Sequence, residues 1–208
     1  MLISGIEEIS KNRIKVFIDD MFAFVLYPQD MKQYHIVVGE EVSETVYEEL
    51  YRDVVLRRAK QKAMNLLMRC DQTEHMIRQK LEQAYYPQKA IEDTIAFLYS
   101  YHYLDDVRFC EHYILLHSEH MGRQDMKQKL LQKGVDSSVI SRCMESASLD
   151  DRQVLLRLIQ KRIGNQQHFS QKEWEKMLSY FMRKGFSYHI IRECFSELGI
   201  VCDDGRLS

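Results

Sequence analysis

Lysine and arginine side chains recur at helical spacing near the end of the chain, and they are the residues best suited to binding chemistry. Lys172, Lys176 and Arg183 follow i, i+4 and i+11 spacing, which places them on one side of a helix. Arg157 and Lys161 form an i, i+4 pair just before them. A stripe of this kind can neutralise phosphate groups or meet an acidic protein surface. We therefore predict a partner-binding surface in this part of the chain.

Two further basic pairs have the same spacing and rank second. They are Arg123 with Lys127, and Arg58 with Lys62. For any one of these side chains the alternative role is that of a solvated helix face, which is where charged residues usually lie.

The distribution of charge favours binding by the C-terminal cluster as a whole. Residues 1–51 carry four Lys and Arg against ten Asp and Glu, whereas residues 52–208 carry 25 against 21. Within residues 152–192 there are nine basic side chains and only two acidic ones. The C-terminal part is therefore suited to a polyanion, and the N-terminal part is acidic.

Aromatic residues interleave with these cations. Phe169, Tyr180 and Tyr188 could stack on unpaired bases, but packing within the protein is the interpretation we favour. We assign Trp174 to the core, because it lies opposite the cations on the same predicted helix.

The sequence does not predict an enzyme, a metal site or a cofactor. His112, His117 and His120 include helical spacings that suit two ligands, but no further ligands follow at sensible distances. Neither a phosphate-binding glycine loop nor a nucleophile or zinc-protease motif occurs. The aspartate pairs Asp105-Asp106 and Asp150-Asp151 recur 45 residues apart, which favours helix capping over catalysis.

The remaining composition predicts a cytoplasmic protein. Five scattered cysteines without a CxxC pair indicate reduced, buried thiols. The first residues lack the basic and apolar regions of a signal peptide. No apolar run approaches the ~20 residues that a membrane span needs.

The elements that position these side chains begin with a β-hairpin. Arg13 to Ile18 alternates in polarity, Asp19-Asp20 predicts a turn, and Met21 to Leu26 is apolar. Pro28 and Asp30 then suit the start of a short helix through Tyr34, and Gly39 breaks the pattern.

From Ser43 onward the apolar period is helical and a block of sequence recurs. Gln79-Lys80-Leu81 and Gln128-Lys129-Leu130 are 49 residues apart, and a third copy follows at an offset of 51. The second and third copies end in Lys-Gly, at Gly134 and Gly185, where glycine suits a left-handed turn after a helix. The first copy has Tyr85 there, which would cost about 1 kcal/mol if the turn is the same.

Helix starts are predicted from capping residues. Ser43 and Thr45 are alternative caps for the first long helix, and Asp71 and Ser170 are predicted caps further on.

A repeat of this period predicts stacked helical units that bind a partner along an extended surface. We expect a mainly α fold of tandem three-helix repeats in a curved array, after a small N-terminal β-hairpin and short helix. The predicted divisions are residues 1–50, 51–102, 103–148 and 149–208.

The central stretch resembles the RecX family of regulatory proteins. Tyr103-Leu-Asp-Asp-Val-Arg-Phe109, Gly122-Arg-Gln-Asp-Met126 and Lys129-Leu-Leu-Gln-Lys-Gly-Val135 carry the resemblance, which extends over about residues 52–200. Tyr85 and Cys110 depart from the pattern, since we would expect glycine and alanine there.

The resemblance implies a non-enzymatic modulator of the RecA recombinase. Members of the family lie in the groove of the RecA filament and inhibit strand exchange, ATP hydrolysis and co-protease activity, and they can contact DNA. The partners expected on this basis are the RecA filament and single-stranded or double-stranded DNA, with the protein acting as a monomer. The alternative is a nucleic-acid-binding repeat protein that acts without RecA.

Overall fold

Residues 3–26 form a three-stranded antiparallel sheet in the computed structural model, which describes residues 1–203. Its strands, in spatial order, are β1 (Ile3–Ser10), β2 (Arg13–Ile18) and β3 (Met21–Leu26). The predicted hairpin is the pair β2–β3, and its turn residues Asp19 and Asp20 have φ of 49° and 63°. Such angles suit a two-residue hairpin turn that matches the twist of the strands. Strand β1 is an addition that the sequence analysis did not predict.

The helices of the first compact unit, Met1–Asp105, follow the sheet. They are α1 (Pro28–Gln33), α2 (Glu44–Leu50), a π-helical turn (Tyr51–Leu56), α3 (Arg57–Leu67), α4 (Glu74–Glu82) and α5 (Gln88–Ser100). Helix α2, the π turn and α3 run on without a break.

Side-chain caps decide where two of these helices start. Ser43 accepts the Val46 N–H at 3.3 Å, so Ser43 rather than Thr45 caps α2. The predicted cap Asp71 is wrong, because α4 begins at Glu74 and the cap is Thr73.

The sheet packs on the long helix that opens the first repeat. Val16, Phe24 and Leu26 share one buried cluster with Leu50 and Val54. An isolated hairpin has too little apolar surface to be stable alone, and this cluster supplies the missing packing. The N-terminal extension is thus part of the core of the first unit.

The second unit begins at Asp106. Its helices are α6 (Asp106–His117), α7 (Arg123–Gln132), α8 (Ser137–Ser146), α9 (Asp151–Ile163), α10 (Gln171–Arg183) and α11 (Tyr188–Glu197). Strands β4 (His168–Ser170) and β5 (Val201–Asp203) pair in parallel after α9 and α11. Strand β4 thus leads directly into α10.

The left-handed turn predicted after the second helix of a repeat is confirmed at both glycines. Gly134 has φ of 83° and Gly185 has φ of 86°. Tyr85 has φ of 64°, so the first repeat makes the same turn without glycine. In each repeat the next residue donates its N–H to the carbonyl five residues earlier, over 3.1 Å for Tyr86–Leu81, 3.1 Å for Val135–Leu130 and 3.2 Å for Phe186–Phe181. This pattern satisfies carbonyls that the helix end leaves unpaired.

The predicted mainly α fold is confirmed, since three-helix repeats follow a small β-structured extension. The residue limits of the four predicted divisions stay a prediction. Cys110, Cys143 and Cys194 are buried free thiols, whereas Cys70 is exposed, contrary to expectation. Among residues 1–203, no helix combines the length and apolar character needed to cross a membrane.

Gly122 and Gly185 lie against each other where α7 meets the end of α10. The Gly122 N–H donates to the Lys184 carbonyl at 2.8 Å. A Cβ on Gly122 would lie 2.5 Å from the Gly185 carbonyl oxygen, and a Cβ on Gly185 would overlap the backbone of Asp125. Gly185 is therefore required both for the left-handed turn and for the close approach of two backbones.

Two aspartates complete this junction. Asp150 caps α9 by accepting the N–H groups of Arg152 and Gln153 at 3.0 and 3.1 Å, as the sequence predicts. Asp151 accepts the Arg123 N–H at 3.1 Å and so caps α7, a helix from the preceding repeat. Burial raises the pKa of the Asp151 carboxyl, although the hydrogen bond from Arg123 acts in the opposite direction.

We expect Gly185→Ala to destabilise the protein more than Gly39→Ala. Both glycines have φ of 86°, but a Cβ at position 39 would meet nothing within 4 Å. The strain of a left-handed alanine costs about 1 to 2 kcal/mol. The overlap with Asp125 adds at least about 1 kcal/mol at position 185. Urea unfolding followed by circular dichroism measures both losses, and equal losses would contradict the close contact.

Candidate partner-binding surfaces

A basic groove lies on the last helical repeat, and most of its lining comes from α10. We call it the α10 groove, and it is lined by Arg162, Lys172, Glu175, Lys176, Ser179, Tyr180 and Arg183. Three predicted binding residues, Lys172, Lys176 and Arg183, are thus brought together. Glu175 is the one acidic member of the lining, and it accepts a hydrogen bond from Gln171 at 2.7 Å.

The amphipathic character of α10 produces this arrangement. Ser170 and Glu173 form the predicted capping box, which fixes the start of the helix. Trp174, Met177 and Phe181 are then buried against the core of the repeat. Lys172, Lys176 and Arg183 fall within about 40° of one another at 3.6 residues per turn. They lie on the side of the helix opposite the three buried residues. The assignment of Trp174 to the core is confirmed.

Arg162 is a groove residue that the sequence analysis missed. Its guanidinium carbon lies 4.0 Å from the centre of the Tyr180 ring, a cation–π geometry that joins α9 to α10. Arg157 and Lys161 are exposed on α9 but do not line the groove. The sequence could have indicated Arg162 by its spacing. It follows the apolar Ile159, which is buried, by three residues, and therefore lies near the packed face of α9.

The interleaved aromatics have different positions. Phe169 is buried, Tyr180 is half-buried beneath Arg162, and Tyr188 is 54% exposed. Packing is therefore the structural role of Phe169, whereas Tyr180 presents part of its ring to the groove.

The pair Arg123 and Lys127 is exposed on α7 and lies outside the α10 groove. Arg123 uses its backbone N–H at the junction with Asp151, which leaves its side chain at the surface.

Arg58 has a buried partner in the first unit. Its guanidinium donates two hydrogen bonds to the Asp30 carboxylate, one of them 3.0 Å long, and Asp30 is only 5% exposed. Partial burial by itself would lower the pKa of Arg58, but the hydrogen bonds to Asp30 outweigh it and the pKa is raised. Asp30 also accepts the Tyr27 N–H at 2.8 Å. Arg58 therefore joins α3 to the N-terminal extension, while Lys62 continues along the same helix face.

We expect Asp30→Ala to lower the free energy of unfolding by about 2 kcal/mol, because Arg58 would lose a charged, buried partner. The ion pair of Lys15 with Glu7, whose side chain is 56% exposed, provides the control. Glu7→Ala should cost less than about 1 kcal/mol, as exposed pairs usually do. Thermal and urea unfolding of both variants measure the difference, and similar losses would show that the Asp30 pair does not join the two parts.

The histidine at the end of α6 packs on an aromatic ring. The rings of His117 and Tyr113 have centres 4.2 Å apart. Within residues 1–203, no three or more His, Cys, Asp or Glu side chains are arranged to hold a metal ion.

Tandem three-helix repeats define a helical-repeat protein, a class whose members commonly meet partners on extended surfaces. Residues 59–98 match the family model described as RecX, first three-helix domain, and residues 150–195 match that of RecX, third three-helix domain. Both models describe domains of RecX, and they support the assignment of the chain to the RecX family.

Relatives over nearly the whole chain agree with these matches. The regulatory protein RecX of Clostridioides difficile is 26% identical over 203 residues, which are 95% of each chain. That of Clostridium acetobutylicum is 25% identical and aligns over 90% of this chain and 92% of its own. These relatives are named as regulatory proteins, not as enzymes.

Solved structures show the same fold. A crystal structure of regulatory protein RecX has a TM-score of 0.58 at 22% identity and covers 92% of this chain and 98% of its own. RecX from Lactobacillus salivarius has a TM-score of 0.56 at 20% identity and covers 70% of this chain and 97% of its own.

Proposed function

We propose that this protein binds the RecA filament and inhibits its recombinase, ATPase and co-protease activities. Membership of the RecX family is the observation that carries the proposal, because its regulatory relatives align over most of the chain. The α10 groove supports it as a surface for an acidic partner. A regulator of this kind acts by occupying a surface and needs no catalytic group of its own.

In the proposed mechanism, the protein lies in the filament groove and its cations meet acidic RecA side chains. A repeat protein suits such a site, since it offers many modest contacts along one surface. Occupying the groove would block access of a second DNA molecule and of the repressor substrate. Arg123 and Lys127 provide further exposed charge for this contact, whereas Arg157 and Lys161 lie outside the α10 groove and contribute less.

The decisive measurement is the DNA-dependent ATPase of the cognate RecA with and without this protein. We expect the hydrolysis rate to fall as the protein approaches stoichiometric amounts. An unchanged rate at stoichiometric or higher ratios, together with an unchanged filament lifetime, would overturn the proposal.

Paired charge reversals test the α10 groove within the same assay. Lys172→Glu with Lys176→Glu should raise the concentration for half-inhibition on the order of tenfold, because it places repulsive charges against an acidic partner. Arg157→Glu with Lys161→Glu makes the same change in net charge on the same repeat but outside the groove. It should have a clearly smaller effect. Equal losses from both pairs would show that net charge, and not the groove, determines binding.

The rival function is nucleic-acid binding without RecA. It is favoured by one observation, which is that four cations and the half-buried Tyr180 line the same groove. The rival predicts a steep loss of DNA affinity with salt. If reversal of Lys172 and Lys176 weakens RecA inhibition but leaves DNA binding unchanged, the rival fails for this groove.

A further inference from the structure

A second basic cleft lies in the first unit, between the N-terminal extension and the first repeat. We call it the tyrosine cleft. It combines two neighbouring depressions that share Tyr27, Arg58, Lys62 and Tyr86. Arg13 and Tyr85 extend one end, and Gln61, Asn65 and Arg69 extend the other, along α3 and the turn after it. We propose that the tyrosine cleft binds single-stranded nucleic acid, with phosphates along α3 and a base against a tyrosine.

The cations of the cleft follow α3 and the turn after it. Arg58 and Lys62 lie four residues apart on α3, Asn65 follows about one turn later, and Arg69 lies in the turn two residues beyond the end of the helix. Neighbours three or four apart on a helix are about 5 to 6 Å apart, which is close to the step between phosphates in an extended strand. Such a line can follow a nucleic-acid backbone.

Two of the three cations along this line are not paired with a carboxylate in the part of the chain that the structure describes. Arg58 is paired with Asp30, but in residues 1–203 no ion pair involves Lys62 or Arg69. No Asp or Glu belongs to the lining of either depression. The cleft therefore presents net positive charge, although the N-terminal part of the chain is acidic overall.

Tyrosines give the cleft a second kind of contact. Tyr27 and Tyr85 are 41% and 42% exposed, and Tyr86 is half-buried beside them. Burial raises the pKa of the Tyr86 hydroxyl, so it stays uncharged and does not oppose an anion. Aromatic faces beside a basic line are the combination that binds single strands, because unpaired bases stack while phosphates meet the cations.

The backbone holds Tyr85 in the cleft despite its conformational cost. Tyr85 has φ of 64°, a region that favours glycine. Arg13 donates to the Ala84 carbonyl at 2.6 Å, and the cations of Arg13 and Lys15 lie 5.7 and 5.1 Å from the Tyr85 ring centre. Strand β2 thus positions the ring. A duplex or an acidic peptide would make no comparable use of these aromatic faces.

The proposal concerns the chain and nucleic acid alone, so it does not rest on RecA binding. The first test is fluorescence anisotropy of a labelled oligothymidylate with the full chain. Lys62→Glu with Arg69→Glu should weaken binding on the order of tenfold or more, and the salt slope should fall by about 0.7 for each phosphate that is no longer neutralised. Lys11→Glu with Lys80→Glu, in the same unit but outside the cleft, should change affinity less than about twofold.

The conservative pair Lys62→Arg with Arg69→Lys retains both charges and should bind as the parent does. Thermal melts check that each variant is folded. Unchanged affinity after charge reversal at positions 62 and 69 would overturn the proposal, and so would an equal loss in the control pair. Loss of all binding on reversal of Lys172 and Lys176 alone would also overturn it, since the α10 groove would then be the strand site.

A second test separates stacking from charge. Tyr85→Ala should weaken oligothymidylate binding on the order of fivefold or more, whereas Tyr99→Ala, equally exposed at 42% but outside the cleft, should not. Inorganic polyphosphate and a duplex of the same length serve as competitors. If either displaces the strand as effectively as unlabelled oligothymidylate, the assignment to a single strand is wrong. RecA inhibition measured separately keeps this outcome distinct from that of the proposed function.

Discussion

A left-handed turn after the second helix is the constraint on which all three repeats depend. It ends the helix, satisfies its last carbonyls, and returns the chain so that the third helix packs on the same core. At Gly185 the absence of a Cβ also lets the backbone of α7 approach, which fixes the junction of the second and third repeats. At Tyr85 the same turn carries a side chain toward the N-terminal sheet, with a conformational cost that the contacts to Arg13 and Lys15 help to offset.

The two basic surfaces arise from the same physical arrangement used in different surroundings. Each has a helix with apolar residues on one side and cations on the other. In the second unit the groove is completed by Arg162 over Tyr180, and its cations lie in the open. In the first unit one cation, Arg58, is committed to the buried Asp30, and the remaining cations lie beside tyrosines. A repeat architecture can therefore offer chemically different surfaces while its core changes little.

Local sequence patterns made much of the fold and of the α10 groove predictable. The 3.6-residue period located the stripe of Lys172, Lys176 and Arg183, and the Lys-Gly ends located the turns at Gly134 and Gly185. Predictions were less accurate where contacts or competition between residues decide the structure. Strand β1 contains Gly5 and has weak alternation, and its pairing with β2 is what makes it a strand. The cap of α4 is Thr73 and not Asp71, because several polar residues at that helix start compete for the same role.

The amino-acid sequence by itself determined the helical periods, the turn positions, the uneven charge and the resemblance to RecX, because these depend on residues close together in the chain. Tertiary structure alone decided which side chains share a surface. It joined Asp30 to Arg58, placed β2 against Tyr85, and put Arg162 rather than Lys161 into the α10 groove. The physical reason is that a helical period specifies the direction of a side chain around its own axis, whereas the neighbour it meets depends on how separate helices and strands pack together.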